Sequence, residues 1–287
     1  MVPEDDRVNS SLLPTADIVL RGGRRLDSRL IARMRRCVGL VTYSVGLDGV
    51  DLEAAGRAGI PVRNVPGYCT DEVSDHAILL ILAALRRLPH WLDTTSSGGW
   101  LQPEDQSTVR RVRGLTVGIV GAGRIGRSVA RKAGAFGMVP IFHDPFVVEP
   151  ADDLPLVGRD ELLARADVIV LCASGTSGSL FRLGADDFAS LKSPPPVVVN
   201  VARGAMIDER ALADALRAGT VWSAALDVRN VEPPDPGDDP LAGAPNLILT
   251  PHVAASSAAA IADLRVGVAE AAIELLAEAG RLPGASC

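Results

Sequence analysis

The chain has 287 residues, 47% of them hydrophobic, which is enough for a buried core and, at about 100–200 residues per domain, for two domains. A formal charge of −6 argues against nucleic acid or an anionic membrane as partner, because both require a basic surface. Cys37, Cys69, Cys172 and Cys287 form no CxxC pair and stand at no metal-ligand interval from a histidine, so no metal site is expected and the thiols read as those of a reduced, cytoplasmic protein.

Residues 1–11 are charged and polar, with no apolar signal region. Strands are expected at Ala16–Leu20, Gly39–Tyr43, Leu115–Val120, Val139–Phe142, Asp167–Leu171, Val197–Val201, Ser223–Leu226 and Asn246–Leu249. These runs are short, rich in Val, Ile and Leu, and lack polar alternation, which is the pattern of strands buried on both faces of a parallel sheet. Helical patterns fill the intervals: Ser28–Arg36, Asp51–Ala58, Glu72–Arg87, Arg124–Phe136, Asp160–Arg165 and Glu209–Arg217. The apolar stretch Ala77–Leu85 within them is too short to span a bilayer. Alternating strands and helices imply βαβ units and an α/β fold. Pro89–Arg113 breaks the rhythm with Ser96, Ser97, Gly98 and Gly99, and reads as a crossing between two lobes with a flap. A long Ala-rich helix beginning near Ser256 follows the last strand.

Between a strand and a helix stands Gly118-Ile-Val-Gly-Ala-Gly-Arg-Ile-Gly126, which contains Gly121-x-Gly123-x-x-Gly126. Gly121 suits the tight turn, Gly123 admits a pyrophosphate to the backbone, and Gly126 lets the helix pack on the strand. The helix N-terminus offers N–H groups and a positive dipole end to the phosphates. Asp144, at the end of the next strand, stands where a carboxylate bonds ribose hydroxyls and repels a 2′-phosphate, which favours NAD over NADP. Arg203, Glu232 and His252 each follow an expected strand, and ligands of open α/β sheets bind beyond those carboxyl ends. Reduction of a 2-keto acid needs a cation for the carboxylate, a proton donor for the C2 oxygen and a hydride donor. Arg supplies the planar fork, and His paired with a carboxylate supplies the acid/base.

From about Gly39 onward the sequence resembles the D-2-hydroxyacid dehydrogenase family. The resemblance is carried by Val45-Gly-Leu-Asp-Gly-Val-Asp51, Gly59-Ile-Pro-Val-Arg-Asn-Val-Pro66, Gly118–Gly126, Asn200–Gly204, Ala225–Asp227 through Glu232-Pro233, and Thr250-Pro-His252. Asn64–Ala77 is most similar to the branch of the C-terminal-binding-protein-like dehydrogenases, near the phosphoglycerate dehydrogenases. The resemblance implies two Rossmann-like lobes with doubly wound parallel sheets. Residues 1–73 and the helix 256–287 would form the substrate lobe, residues 74–255 the NAD lobe, and the N-terminal lobe would lack one βα unit. It assigns Arg203, Glu232 and His252 to catalysis, with Arg203 and the amides of Val45 and Gly46 on the substrate. Gly121, Gly123, Arg124, Ile125, Gly126, Asp144, Ser174, Thr176, Ala202 and Asp227 are assigned to the cofactor, Asp227 at the nicotinamide carboxamide. Ser174 stands where relatives have proline, and Thr42 and Ser44 where many have arginine and glycine. The implied protein is a homodimer acting on a small 2-keto or 2-hydroxy acid; the other reading is an NAD(H)-binding regulatory scaffold of the corepressor type.

Overall fold

The computed structural model describes residues 11–147, 155–173 and 181–282. Contacts divide the chain into two compact units, one formed by residues 1–69 with 256–287 and the other by residues 70–255. Among the described residues, no helix is long and apolar enough to cross a membrane.

In the smaller unit, β1 (Ile18–Arg21), β2 (Gly39–Thr42) and β3 (Val62–Arg63) form a parallel sheet in that order. β2 is buried along its whole length. One of its faces presents Leu40 to a cluster with Ile31, Met34, Val50 and Ala55, contributed by α1 (Ser28–Ile31) and α2 (Leu52–Arg57) and the turns beside them. The other face presents Val41 to Val268, Ala271 and Leu275 of the long helix Ala258–Glu278. A Cβ on Gly39 would lie 2.6 Å from Leu275 Cδ1, so glycine permits this close approach of helix to strand. Each large apolar side chain removed from water here contributes about 1.5–3 kcal/mol.

In the larger unit, β4 (Thr116–Val120), β5 (Val139–His143), β6 (Val168–Leu171), β7 (Val197–Asn200), β8 (Ser223–Leu226) and β9 (Leu247–Leu249) form a parallel sheet. Its order is β5-β4-β6-β7-β8-β9. The chain runs outward from β4 to β5 and then returns to the other side of β4, so the strand order reverses beside β4. Such a reversal opens a crevice at the carboxyl ends. β6, β7 and β8 are fully buried, as their mostly apolar sequences require, with Asn200 closing β7 and Ser223 opening β8. The helices around this sheet are α3 (Thr70–Leu85), α4 (Leu88–Ser96), α5 (Arg124–Ala135), α6 (Arg159–Arg165), α7 (Ala185–Ser190) and α8 (Glu209–Ala218), and the long helix Ala258–Glu278 of the smaller unit is α9.

Two expectations are corrected. The helix expected over Ser28–Arg36 ends at Ile31. Beyond it the backbone closes i→i+3 turns, Arg33 N–H to Leu30 O at 3.1 Å and Met34 N–H to Ile31 O at 3.0 Å, and the chain then turns so that Val38 N–H reaches Asp17 O at 2.8 Å. Pro89–Arg113, expected as a crossing between lobes, lies within the larger unit and includes α4 and a 3₁₀ turn at Pro103–Thr108. Pro89 stands in the first turn of α4, where its missing N–H costs nothing. The hydroxyls of Thr94, Thr95, Ser96 and Ser97 bond back to carbonyls three or four residues earlier, so a polar sequence satisfies itself as helix. β3 and α7 were also missed: one has two residues, and the other carries Phe188 as its single buried side chain.

Candidate functional site

The glycine turn follows β4 at the reversal of strand order. Gly121 has φ +102°, and a Cβ there would lie 2.7 Å from Ala173 N, so the turn needs glycine on two counts. A Cβ on Gly126 would collide with Gly121 O, which lets α5 start directly against the turn. A Cβ on Gly123 would meet nothing within 4 Å, so that position has open space in front of the backbone. Gly123 caps α5 without a side-chain hydrogen bond, and the first turn carries Arg124 and Ile125 and no acidic residue. A bare helix N-terminus with a cation beside it is suited to an anion. Asp144 Oδ2 accepts from Ala122 N at 2.9 Å and Oδ1 from Phe146 N at 3.0 Å. Each carboxylate oxygen keeps further acceptor capacity, so Asp144 can brace the turn and still accept from ribose hydroxyls. The residues present therefore fit a dinucleotide. Ser174 and Thr176 lie outside the described residues. Next to that segment, burial pushes the Cys172 thiol up to about 12, which keeps it protonated and unreactive.

Arg203, Asp227 and His252 follow β7, β8 and β9, all at the carboxyl edge. His252 Nδ1 lies 2.6 Å from Glu232 Oε2, and Glu232 Oε1 accepts from Arg229 N at 2.8 Å. A carboxylate only accepts, so Nδ1 carries the proton and Nε2 is the nitrogen left for a reacting group. Both side chains are partly exposed, as substrate access requires. His252 itself has φ +53°, an uncommon conformation for a non-glycine residue. Asp227 maintains it: this 1% exposed carboxylate accepts from Thr250 Oγ1 (2.5 Å), Val253 N (3.0 Å) and Ala254 N (2.9 Å). Asp227 O also accepts from His252 N at 2.8 Å. The residue assigned to the cofactor thus also shapes the turn that carries the imidazole.

Asn200 does the same for the arginine. Its Oδ1 accepts from Ala202 N (2.9 Å) and its Nδ2 donates to Arg203 O (2.8 Å), which fixes the bend between them. Arg203 Nη1 donates to Ala202 O at 2.7 Å. Sequence reasoning missed His76, on α3, whose Nε2 is 3.1 Å from Thr250 Oγ1 and 3.5 Å from Asp227 Oδ1. The signal available for it was a histidine in an otherwise apolar helix face. In the smaller unit, Ser44 Oγ donates to Gly46 O at 2.6 Å and Asn64 Nδ2 donates to Val45 O, so the Ser44–Gly46 turn is held at two carbonyls.

Residues 78–254 match the family described as D-isomer specific 2-hydroxyacid dehydrogenase, NAD binding domain. The chain is 38% identical over 256 residues to a D-3-phosphoglycerate dehydrogenase of Archaeoglobus fulgidus, covering 88% of this chain and 48% of that one. It therefore spans about half the length of that relative. A hydroxypyruvate reductase of Thermotoga maritima is 35% identical, with 90% of this chain and 83% of that one covered. Among solved structures, D-lactate dehydrogenase from Aquifex aeolicus complexed with NAD and lactic acid superposes with a TM-score of 0.85 at 26% identity, covering 96% of this chain and 87% of that chain.

Proposed function

Because this chain belongs to the D-isomer specific 2-hydroxyacid dehydrogenase family, we propose that it is an NAD-dependent oxidoreductase acting at C2 of a small D-2-hydroxy acid or the matching 2-keto acid. The Glu232–His252 hydrogen bond carries this reading, because an oriented imidazole is what a carbonyl reduction requires of the protein. NAD, when bound, supplies the hydride donor or acceptor at its nicotinamide. Gly121, Gly123, Arg124, Ile125 and Gly126 hold its pyrophosphate, and Asp144 holds the adenosine ribose and disfavours a 2′-phosphate. Ser174, Thr176, Ala202 and Asp227 belong to the same cofactor set.

In the reducing direction, Arg203 pairs with the substrate carboxylate and polarises the keto oxygen. His252 Nε2 gives its proton to that oxygen as the hydride reaches C2. Glu232 stabilises the imidazolium that precedes this transfer. In the oxidising direction His252 takes the hydroxyl proton and Glu232 stabilises the charge so formed. Val45 and Gly46 are assigned to the substrate carboxylate through their amides. The relatives reported above are named as dehydrogenases and a reductase, which favours turnover over a scaffold of the corepressor type. The test is NADH oxidation with glyoxylate, hydroxypyruvate, pyruvate and branched 2-keto acids. Turnover of one of them is expected, and NADH binding with no turnover across the panel would overturn the assignment.

The reading includes a cytoplasmic homodimer. The free thiols of Cys37, Cys69 and Cys172 agree with a reducing compartment. Leu88, Leu92 and Leu101 are exposed on α4 and the turn after it, and Trp100 is 78% exposed, an apolar surface that a second copy would cover. Trp100→Ser is expected to weaken self-association about 30-fold or more, as loss of an aromatic anchor does. Light scattering across a dilution series checks this; an unchanged dimer would remove α4 from the interface.

A further inference from the structure

Glu232 lies in Val231-Glu-Pro-Pro-Asp-Pro-Gly-Asp-Asp-Pro240, an exposed stretch outside every helix and strand. Prolines and glycine limit its conformations but do not aim a carboxylate, so the alignment of Glu232 with His252 needs a separate cause. Arg229 stands at the root of this loop, and its side chain is only 8% exposed. Its Nε and Nη2 reach the two oxygens of Glu209 at 3.0 and 3.2 Å. Its Nη2 and Nη1 reach the two oxygens of Asp239 at 2.5 and 3.4 Å. One guanidinium is therefore gripped on two sides by forked carboxylates, one from α8 and one from the far end of the loop.

The carboxylates also hold backbone. Glu209 Oε1 accepts from Asn230 N at 2.8 Å, and Asp239 Oδ1 accepts from Leu241 N at 2.9 Å. Arg229's own backbone faces the site. Its N–H is the donor to Glu232, and its carbonyl group lies so close to Gly204 that any Cβ there would collide with it. Gly204 directly follows Arg203. The backbone of one residue thus touches both the arginine loop and the acid/base loop. Burying three charges costs more than burying apolar groups of the same size, so stability alone is a poor reason for this cluster.

The geometry points to Arg229 as a positioning residue for the proposed reaction: clamped between Glu209 and Asp239, it presents Glu232 to His252 and keeps the Arg203 loop packed against the same backbone. This rests on the reading of the Glu232–His252 pair given above. The Arg229 hydrogen bond holds the Asp239 carboxyl below the usual carboxylate range. A depressed carboxylate contributes its stability above the ordinary value and loses it as pH falls through the lowered one, so Asp239 keeps its charge on Arg229 throughout the neutral range.

The test compares Arg229→Met, Arg229→Lys, Glu232→Gln and the double variant Arg229→Met with Glu232→Gln. Arg229→Met is expected to lower kcat about 10–100-fold, within the contribution of one positioned acid/base, with NADH affinity within about twofold of the parent. Arg229→Lys is expected to recover part of the loss, since its ammonium supplies the charge without the fork. The double variant is expected to lose no more than the worse single one, because both act through the same hydrogen bond. Additive losses would mark Arg229 as merely structural and overturn the proposal. Nitrogen NMR of the imidazoles gives a readout independent of turnover. With His252→Ala for assignment among the four histidines, the parent should show His252 protonated at Nδ1, and Arg229→Met should show a mixture of tautomers. An unchanged tautomer would likewise overturn the proposal, whereas absence of turnover in the parent would count only against the dehydrogenase reading. Should Arg229→Met fail to fold, Asp239→Asn loosens the outer grip and is read in the same way.

Discussion

His252→Ala is expected to lower kcat about 10²–10⁴-fold on whichever 2-keto acid the parent reduces, the usual contribution of a positioned acid/base. Among the described residues at this strand edge, the imidazole is the one group that is both partly exposed and hydrogen-bonded through Nδ1 to a carboxylate. The substitution removes the proton donor but leaves Asp227 with its bonds from Thr250 Oγ1 and from the amides of Val253 and Ala254. The turn should therefore persist, and NADH should bind as before. Glu232→Gln should fall between parent and His252→Ala, because it keeps a hydrogen bond but not the charge that stabilises the imidazolium. Stopped-flow measurement of NADH oxidation separates chemistry from binding. A variant that retains parental kcat would assign proton transfer to another group and remove His252 from the mechanism.

The second large effect is expected at the glycine turn, where two substitutions of the same size should behave differently. Gly126→Ala sets a methyl group against Gly121 O, and the turn cannot retreat, since Gly121 is itself hemmed in by Ala173. Overpacking of this kind costs about 1–3 kcal/mol, so the melting temperature should fall by several degrees and NADH affinity by more than tenfold. Gly123→Ala adds the same methyl group to open space, so the fold should be untouched while the methyl occupies room a pyrophosphate needs. About tenfold weaker NADH binding with an unchanged melting temperature is the expected result. Calorimetry and fluorescence titration of both variants decide the matter, and full NADH affinity in Gly123→Ala would mean that no phosphate approaches that amide.

The glycine turn was legible in the sequence because its demands are local. A tight bend, a close backbone and a bare helix start each require a missing Cβ at a fixed spacing, and spacing is what a sequence displays. The buried strands were legible for a similar reason, since β6 is an unbroken apolar run and β7 and β8 depart from one only at Asn200 and Ser223. The supports of the site were not legible. His76 and Thr250 meet across 174 positions of chain, and Arg229 gains its meaning from Glu209 on a helix that precedes it by 20. Polar pairings of this kind follow from which elements lie side by side, and no periodicity encodes them. α4 was hidden because its threonines and serines, which read as loop formers, close hydrogen bonds within their own turns.

The smaller unit is assembled from two pieces of chain with the whole of the larger unit between them, and α9 forms one wall of its core against β2. During synthesis, residues 70–255 leave the ribosome as one uninterrupted stretch. Val41 and the glycine face of β2 must wait uncovered until Leu275 and its neighbours emerge. Until then the nascent chain carries an uncovered apolar face on that sheet, the kind of surface that invites unintended association.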